Sequence, residues 1–86
     1  MLKNLRDQMD SIDSEIVVQL GKRVKMAQEI ARIKKREGIP ILDPTREKEI
    51  KAKMRELAKA QGISPLVVEE IIELILDYTR IEMEAL

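Results

Sequence analysis

Two cations interrupt the apolar face of an otherwise ordinary amphipathic helix. In residues 1–37 apolar side chains recur every three or four positions, at Leu5, Met9, Ile12, Ile16, Leu20, Ala27 and Ile30. This spacing predicts one face of a single long helix. At about 100° per residue, Arg23 and Lys34 lie roughly 20° and 40° from Ile12, inside that face. Because charges enter a packed face only against an opposite charge, an internal carboxylate or an anionic ligand is expected there.

Other charged residues lie on or beside faces that should pack. Arg6 lies near 120° on the same scale, at the flank of the first apolar face. Arg46 and Glu47 follow in the first turn of the next predicted helix, and Glu47 is the only evident internal acid. Four such cations and one acid make a poor ion-pair network, because each uncompensated buried charge is costly. A small ligand with two carboxylates balances the charges better, and the planar fork of arginine suits carboxylates.

A structural interpretation of Arg23 also exists. An arginine in a helical face can extend its guanidinium to solvent or pair with an acid of the same chain. Asp13 and Glu29 are the candidate acids for Arg23. The residues alone therefore leave an internal ion pair and a bound anion both open.

Glycine and proline divide the chain into three predicted helices. Each break follows a glycine, and each restart has an N-cap residue followed by proline. These positions are Gly38, Asp43-Pro44, Gly62 and Ser64-Pro65. The predicted helices cover residues 3–37, 44 to about 61, and 65 to the C-terminus, the third being the most apolar and therefore the most buried. With no period-two pattern, the fold class is all-α, in one domain over residues 1–86.

The first helix is too long for a compact monomer. A helix over residues 3–37 would be roughly 52 Å long, whereas a compact chain of this size has a radius of gyration of only about 12 Å. Its apolar face runs nearly the whole length. A second copy lying along it is the economical solution, so we expect a two-fold homodimer. On periodicity alone, the chain is an anion-binding helical dimer.

Composition excludes several functions. There is no cysteine or histidine, so disulfides, thiolate chemistry, a histidine base and the commonest metal ligands are absent, and we expect neither metal nor cofactor. The 16 basic and 16 acidic residues cancel and Tyr78 is the only aromatic residue, which argues against nucleic-acid binding. No signal peptide or membrane-spanning run is evident, so we expect no membrane association and a cytoplasmic location.

The charged residues also fall into an ordered pattern. Leu5-Arg6-x-x-Met9-x-x-Ile12-Asp13 is followed by Arg23, Lys34 and Asp43-x-x-Arg46-Glu47. This set, with the link Gly38-Ile39-Pro40-Ile41 and the Asp43-Pro44 restart, resembles the all-helical (type II) class of chorismate mutase over essentially the entire chain. The resemblance implies an intertwined dimer of three-helix protomers. Each of its two active sites would take one arginine from the opposite chain.

The resemblance implies a function and a role for each residue. The reaction would be the Claisen rearrangement of chorismate to prephenate, in the shikimate route to Phe and Tyr, without a cofactor. Arg23, the partner chain's Arg6 and Arg46 would bind the two carboxylates, and Lys34 would donate to the ether oxygen. Glu47, with the backbone around Asp43, would hold the ring hydroxyl. Thr79 occupies a position where a small hydroxyl residue contacts a carboxylate. In this set Lys34, Arg23 and Glu47 are the candidate catalytic residues.

One position departs from the family pattern. Where the family has Gln or Glu as a second donor to the ether oxygen, this chain has Met83, and a thioether cannot donate. Glu82 or Glu84 would substitute only if the last turn is shifted and the acid protonated. Two other functions stay open: an isochorismate pyruvate-lyase of the same fold, and a non-enzymatic helical dimerisation or regulatory module.

Overall fold

Three α-helices account for nearly all of the chain. The computed structural model describes residues 1–86 and contains no strand. α1 spans Leu2–Glu37, α2 spans Pro44–Gln61 and α3 spans Pro65–Glu84. The predicted all-α fold with a very long first helix is confirmed. None of the three helices combines the length and the apolarity needed to cross a bilayer.

The helix ends follow the local chemistry of their residues. Asp43 and Ser64 are the N-caps of α2 and α3, and each side chain accepts a hydrogen bond from the backbone N–H three residues later, at 3.1 and 3.3 Å. Gly38 and Gly62 end α1 and α2 with φ of 71° and 72°, a left-handed conformation that costs glycine little. These caps fix where the chain reverses. They place the first turn of α2 beside the C-terminal half of α1.

The helices meet in a thin core. α3 packs against both α1 and α2, which do not pack on each other. Only six residues are buried, and no large side chain is completely excluded from solvent. They are Ala27 and Ala31 of α1, Ala58 of α2, and Leu76, Thr79 and Met83 of α3. The third helix supplies the most buried residues, as expected, but buries only its C-terminal half.

Two apolar faces have no partner within the chain. The N-terminal half of α1 exposes Leu5, Met9, Ile12 and Ile16, and the outer side of α3 exposes Val67, Ile71, Leu74, Tyr78 and Ile81. The molecule measures 55 × 24 × 15 Å, with a radius of gyration of 15.8 Å. Because α1 is as long as the whole molecule, its N-terminal half extends beyond the three-helix core.

Candidate functional site

A pocket of about 300 Å³ lies where the C-terminal halves of α1 and α3 meet the first turns of α2. Seven of the eight site residues predicted from the sequence line it: Arg23, Lys34, Asp43, Arg46, Glu47, Thr79 and Met83. The eighth, Arg6, does not. It lies 17 residues before Arg23 on the same helix, or about 25 Å along the axis. The side chain of Arg6 therefore cannot reach the pocket of its own chain.

Arg23 extends from α1 into the pocket without a carboxylate partner. Its Nη1 donates to Thr79 Oγ1, and the Thr79 hydroxyl donates to the carbonyl of Ile75 at 2.6 Å. No acid lies within 4.0 Å of the guanidinium, so neither Asp13 nor Glu29 forms the ion pair considered above. Arg23 is thus a charged group held in place by a neutral one.

The electrostatic environment of Arg23 opposes its charge. Partial burial lowers the pKa of the guanidinium, and the positive charge of Arg46 lowers it further. Both effects penalise the charged form, and a bound anion would relieve them. The pocket is therefore organised to receive negative charge.

Lys34 is the second cation without an acidic partner. It lies in the last turn of α1, and its Nζ donates to the carbonyl of Ile41 at 3.3 Å. The Gly38 turn brings this carbonyl back alongside the helix. One of the three ammonium N–H groups is thereby used, and two remain for a ligand in the pocket.

Asp43 and Arg46 form the rim at the start of α2. The Asp43 carboxylate caps the helix by accepting from the backbone N–H of Arg46, so it serves local structure. The Arg46 guanidinium has only a loose contact with Glu49, 3.8 Å from Nη1 to Oε2, between two mostly exposed side chains. Such a contact holds an arginine weakly. Arg46 is therefore free to turn toward an anion.

Glu47 has a partner that the sequence analysis missed. Arg80 of α3 also lines the pocket, with Nη1 3.6 Å from Glu47 Oε1 and Nη2 3.0 Å from Asp77 Oδ1. The spacing of Leu76, Arg80 and Met83 by four and three residues places them on one face of α3. That pattern could have identified Arg80 from the sequence, but the broad apolar character of α3 obscured it.

The other wall of the pocket is apolar. Met83 is buried against Ala27 and Ala31, with Ile41 packed on the same cluster. The remaining apolar lining residues are Met26, Ile30, Leu42, Ile50 and Leu76. α3 is regular up to Glu84, and neither Glu82 nor Glu84 lines the pocket. The shifted last turn that would bring one of these acids inward is therefore not observed.

The pocket as a whole suits an amphiphilic anion. Four cations and two carboxylates line it, which leaves a net formal charge of two positive units. The apolar wall opposite can cover a small hydrocarbon ring. No cluster of His, Cys, Asp or Glu side chains that could hold a metal ion occurs in the chain. The arrangement can orient a dicarboxylate and place positive charge beside it.

Comparison with known proteins identifies the family. The model of the family chorismate mutase type II matches residues 5–84. The chain is 32% identical over 79 residues to a chorismate mutase of Methanocaldococcus jannaschii, covering 92% of this chain and 80% of that protein.

Two further relatives carry different names. A T-protein of Enterobacter agglomerans is 38% identical over 71 residues, covering 83% of this chain but only 19% of the T-protein. A 4-amino-4-deoxychorismate mutase of Streptomyces venezuelae is 26% identical over 82 residues, covering 94% of this chain and 80% of the relative. The match of the family model over nearly the whole chain decides the assignment. The chain belongs to the type II chorismate mutase family.

Proposed function

We propose that this chain is an isomerase that converts chorismate to prephenate. The observation that carries the proposal is the pocket in which Arg23 and Lys34 have no acidic partner and face an apolar wall. Chorismate is a dicarboxylate on a hydrocarbon ring, so it matches both the net charge and the amphiphilic lining. The name of the relative from Methanocaldococcus jannaschii supports the same substrate.

The reaction requires no acid–base catalysis by the protein. In a Claisen rearrangement one ether C–O bond breaks while one C–C bond forms in the same molecule, and no proton is transferred. The site must hold the folded, reactive conformer of the substrate. It must also stabilise the negative charge that grows on the ether oxygen. A chain without histidine or cysteine can do both.

Each pocket residue has a role in this proposal. Arg23 binds one carboxylate and is oriented for it by Thr79, while Arg46 turns inward to assist. Lys34 donates to the ether oxygen with the N–H groups that Ile41 leaves unused. Glu47 accepts a hydrogen bond from the ring hydroxyl, beside the backbone of the Asp43 cap. Met83 contributes an apolar surface beside the ether oxygen and no donor.

The proposal includes a two-fold homodimer that completes the site. The exposed apolar faces of α1 and α3 are the surfaces that a second copy would cover, since contiguous exposed apolar residues commonly mark an interaction site. Arg6 lies on the part of α1 that extends beyond the core. In the dimer it reaches the partner's pocket and binds the second carboxylate.

The first experiment incubates the purified protein with chorismate and, separately, with isochorismate, and measures prephenate and pyruvate in each. Prephenate formed by the wild type and not by Arg23→Ala is the expected result. Pyruvate released from isochorismate, without prephenate from chorismate, would instead establish the lyase. Lys34→Ala should cut turnover by about 10² to 10³-fold in a folded dimer. If a folded wild-type dimer leaves both substrates unchanged, the enzymatic proposal is wrong and a dimerisation module is favoured.

A complementation experiment tests the shared site. Arg6→Ala and Arg23→Ala should each be inactive as pure homodimers. When the two are co-refolded in equal amounts, half of the dimers are mixed, and each mixed dimer holds one site with both arginines. About one quarter of the wild-type activity should therefore return. If Arg6 acted within its own chain, no activity would return.

A further inference from the structure

Glu47 and Arg80 form a linked pair at the edge of the pocket. Arg80 lies between two acids, with Asp77 one helical turn before it and Glu47 across the interface of α2 and α3. The Asp77 contact, at 3.0 Å, directs the guanidinium, so the other end of the fork is presented to Glu47. The side chains of Arg80 and Glu47 are 34% and 23% exposed, which leaves their interaction only partly screened by water.

Arg80 differs from Arg23 and Lys34 in the groups that it contacts. Arg23 and Lys34 contact only neutral oxygens, of a hydroxyl and a carbonyl, and so keep their charge for a ligand. Arg80 is instead committed to acids on both sides. Its charge therefore compensates Glu47, the carboxylate that faces the ligand, and contributes less to binding an anion.

We infer that Arg80 is a specificity-determining positioning residue, which holds Glu47 as a charge-compensated acceptor and thereby selects a ring hydroxyl over a ring ammonium group. The inference rests on the proposed function, in which Glu47 accepts from the ring substituent of the substrate. To bind at Glu47, a ring hydroxyl needs only one well-oriented lone pair of the carboxylate, to which it donates its hydrogen bond. An ammonium group at the same place would lie near the guanidinium of Arg80 and would meet like-charge repulsion.

The relative from Streptomyces venezuelae indicates a suitable probe, since the substrate in its name carries an amino group in place of a hydroxyl. An amine on a saturated ring carbon is protonated at neutral pH. Bound here, 4-amino-4-deoxychorismate would carry one positive charge more than chorismate into a pocket that already has a positive excess. Removing Arg80 takes away one positive charge at that point and leaves Glu47 uncompensated. The amino compound should then bind better relative to chorismate.

The experiment measures 4-amino-4-deoxychorismate as a competitive inhibitor of chorismate turnover, so that no turnover of the amino compound is needed. The quantity compared is the ratio of its inhibition constant to the KM of chorismate. Arg80→Gln should lower this ratio about tenfold, as expected for one partly screened like charge. Arg80→Lys should keep it close to the wild-type value.

A matched control lies on the same helix pair. Arg55 of α2 joins Glu69 of α3 at 3.0 Å, away from the pocket, so Arg55→Gln removes an inter-helix ion pair without touching the site. Its ratio should equal that of the wild type. Arg80→Met, which keeps an aliphatic stem, should behave like Arg80→Gln and serves if the glutamine variant fails to fold.

The outcomes separate this inference from the proposed function. Wild type that turns over chorismate, with an unchanged ratio in folded Arg80→Gln or Arg80→Met, would overturn the role of Arg80 alone. A ratio that falls equally in Arg55→Gln would also overturn it, because the effect would then belong to packing of α2 on α3. Wild type without chorismate turnover would reject the proposed function, and this inference with it.

Discussion

If the proposed rearrangement takes place in this pocket, Met83→Gln should raise turnover, because it adds a hydrogen-bond donor on the α3 wall, where the thioether of Met83 offers none. Met83 lies on the pocket side of α3, one turn after Thr79, and is only 8% exposed. Its neighbours in the core are the small side chains of Ala27 and Ala31. Glutamine has the same unbranched length as methionine, so its amide can occupy the position of the thioether sulfur and methyl without a backbone shift.

The size of the effect follows from electrostatics at the ether oxygen. Loss of one optimised donor to a developing oxyanion typically costs about 10² to 10³-fold in kcat. A donor introduced into a pocket not shaped around it should recover less, so we expect about a tenfold rise, or roughly 1.4 kcal/mol of transition-state stabilisation. The KM should change little, because the interaction strengthens only as charge develops on the oxygen.

The same substitution should lower stability. An amide replaces an apolar group in a nearly buried position, and an unsatisfied buried amide costs roughly 1–3 kcal/mol. Because the pocket is open to water, the cost should be at the lower end, near 1 kcal/mol. Turnover per folded molecule and the free energy of unfolding should therefore move in opposite directions.

The assay follows prephenate formation at saturating chorismate for three variants with verified helical content. Met83→Leu lacks a donor and should show no gain. Met26→Gln places an amide on the α1 side of the same pocket and should also show no gain. Folded Met83→Gln with a kcat no higher than that of Met83→Leu would refute the reasoning, because the ether oxygen would then lie away from Met83.

Three further substitutions test the energetics of the fold. Arg23→Met should abolish activity yet slightly raise the free energy of unfolding in chemical denaturation, because burial and Arg46 disfavour the charged guanidinium; a clear loss of stability would contradict this. Gly21→Ala should raise the melting temperature by several degrees, from about 1 kcal/mol of helix propensity, since beyond the adjacent turns of α1 itself no atom lies within 4 Å of the added methyl; a decrease would reveal a close neighbour. Pairing with Glu73 raises the pKa of Lys51. The ion pair therefore stabilises the fold fully at pH values below the pKa that Lys51 has in the unfolded chain, and this stabilisation is lost as the pH rises through the pKa in the folded chain. Wild type and Lys51→Gln should therefore differ in unfolding free energy at neutral pH and converge at strongly alkaline pH, and a difference that grows with pH would be inconsistent.

Much of the fold could be predicted because it depends on local chemistry. The boundaries at Gly38, Asp43 and Ser64 follow from backbone conformation and capping, which need no knowledge of distant residues. The grouping of Arg23 and Lys34 followed from helical periodicity alone. Their meeting with Thr79 depends on how α3 packs on α1, and only the family resemblance placed Thr79 there.

What the sequence analysis missed depends on contacts between helices. Arg80 looked like one polar residue in an apolar helix, because its ion pair with Glu47 joins residues 33 positions apart. The sequence predicted a site with four cations, and four cations line the pocket of the structure. Arg80, however, takes the place of Arg6 in the pocket of a single chain. The homodimer, the contribution of Arg6 across it and the cytoplasmic location stay predictions.

In the proposed homodimer, the length of α1 is explained by its two ends, which would serve different pockets. Its C-terminal half carries Arg23 and Lys34 and supplies the small side chains of Ala27 and Ala31 on which Met83 packs. Its N-terminal half buries nothing within the chain and carries Arg6 about 25 Å away. A helix that long is a poor way to build a monomeric core, since half of its apolar face stays in water. It becomes economical when one rigid element both fills the interface of a dimer and delivers an arginine to the second pocket. In the proposed homodimer assembly and substrate binding would be linked, because the apolar contacts that hold the two copies together would also set the position of Arg6.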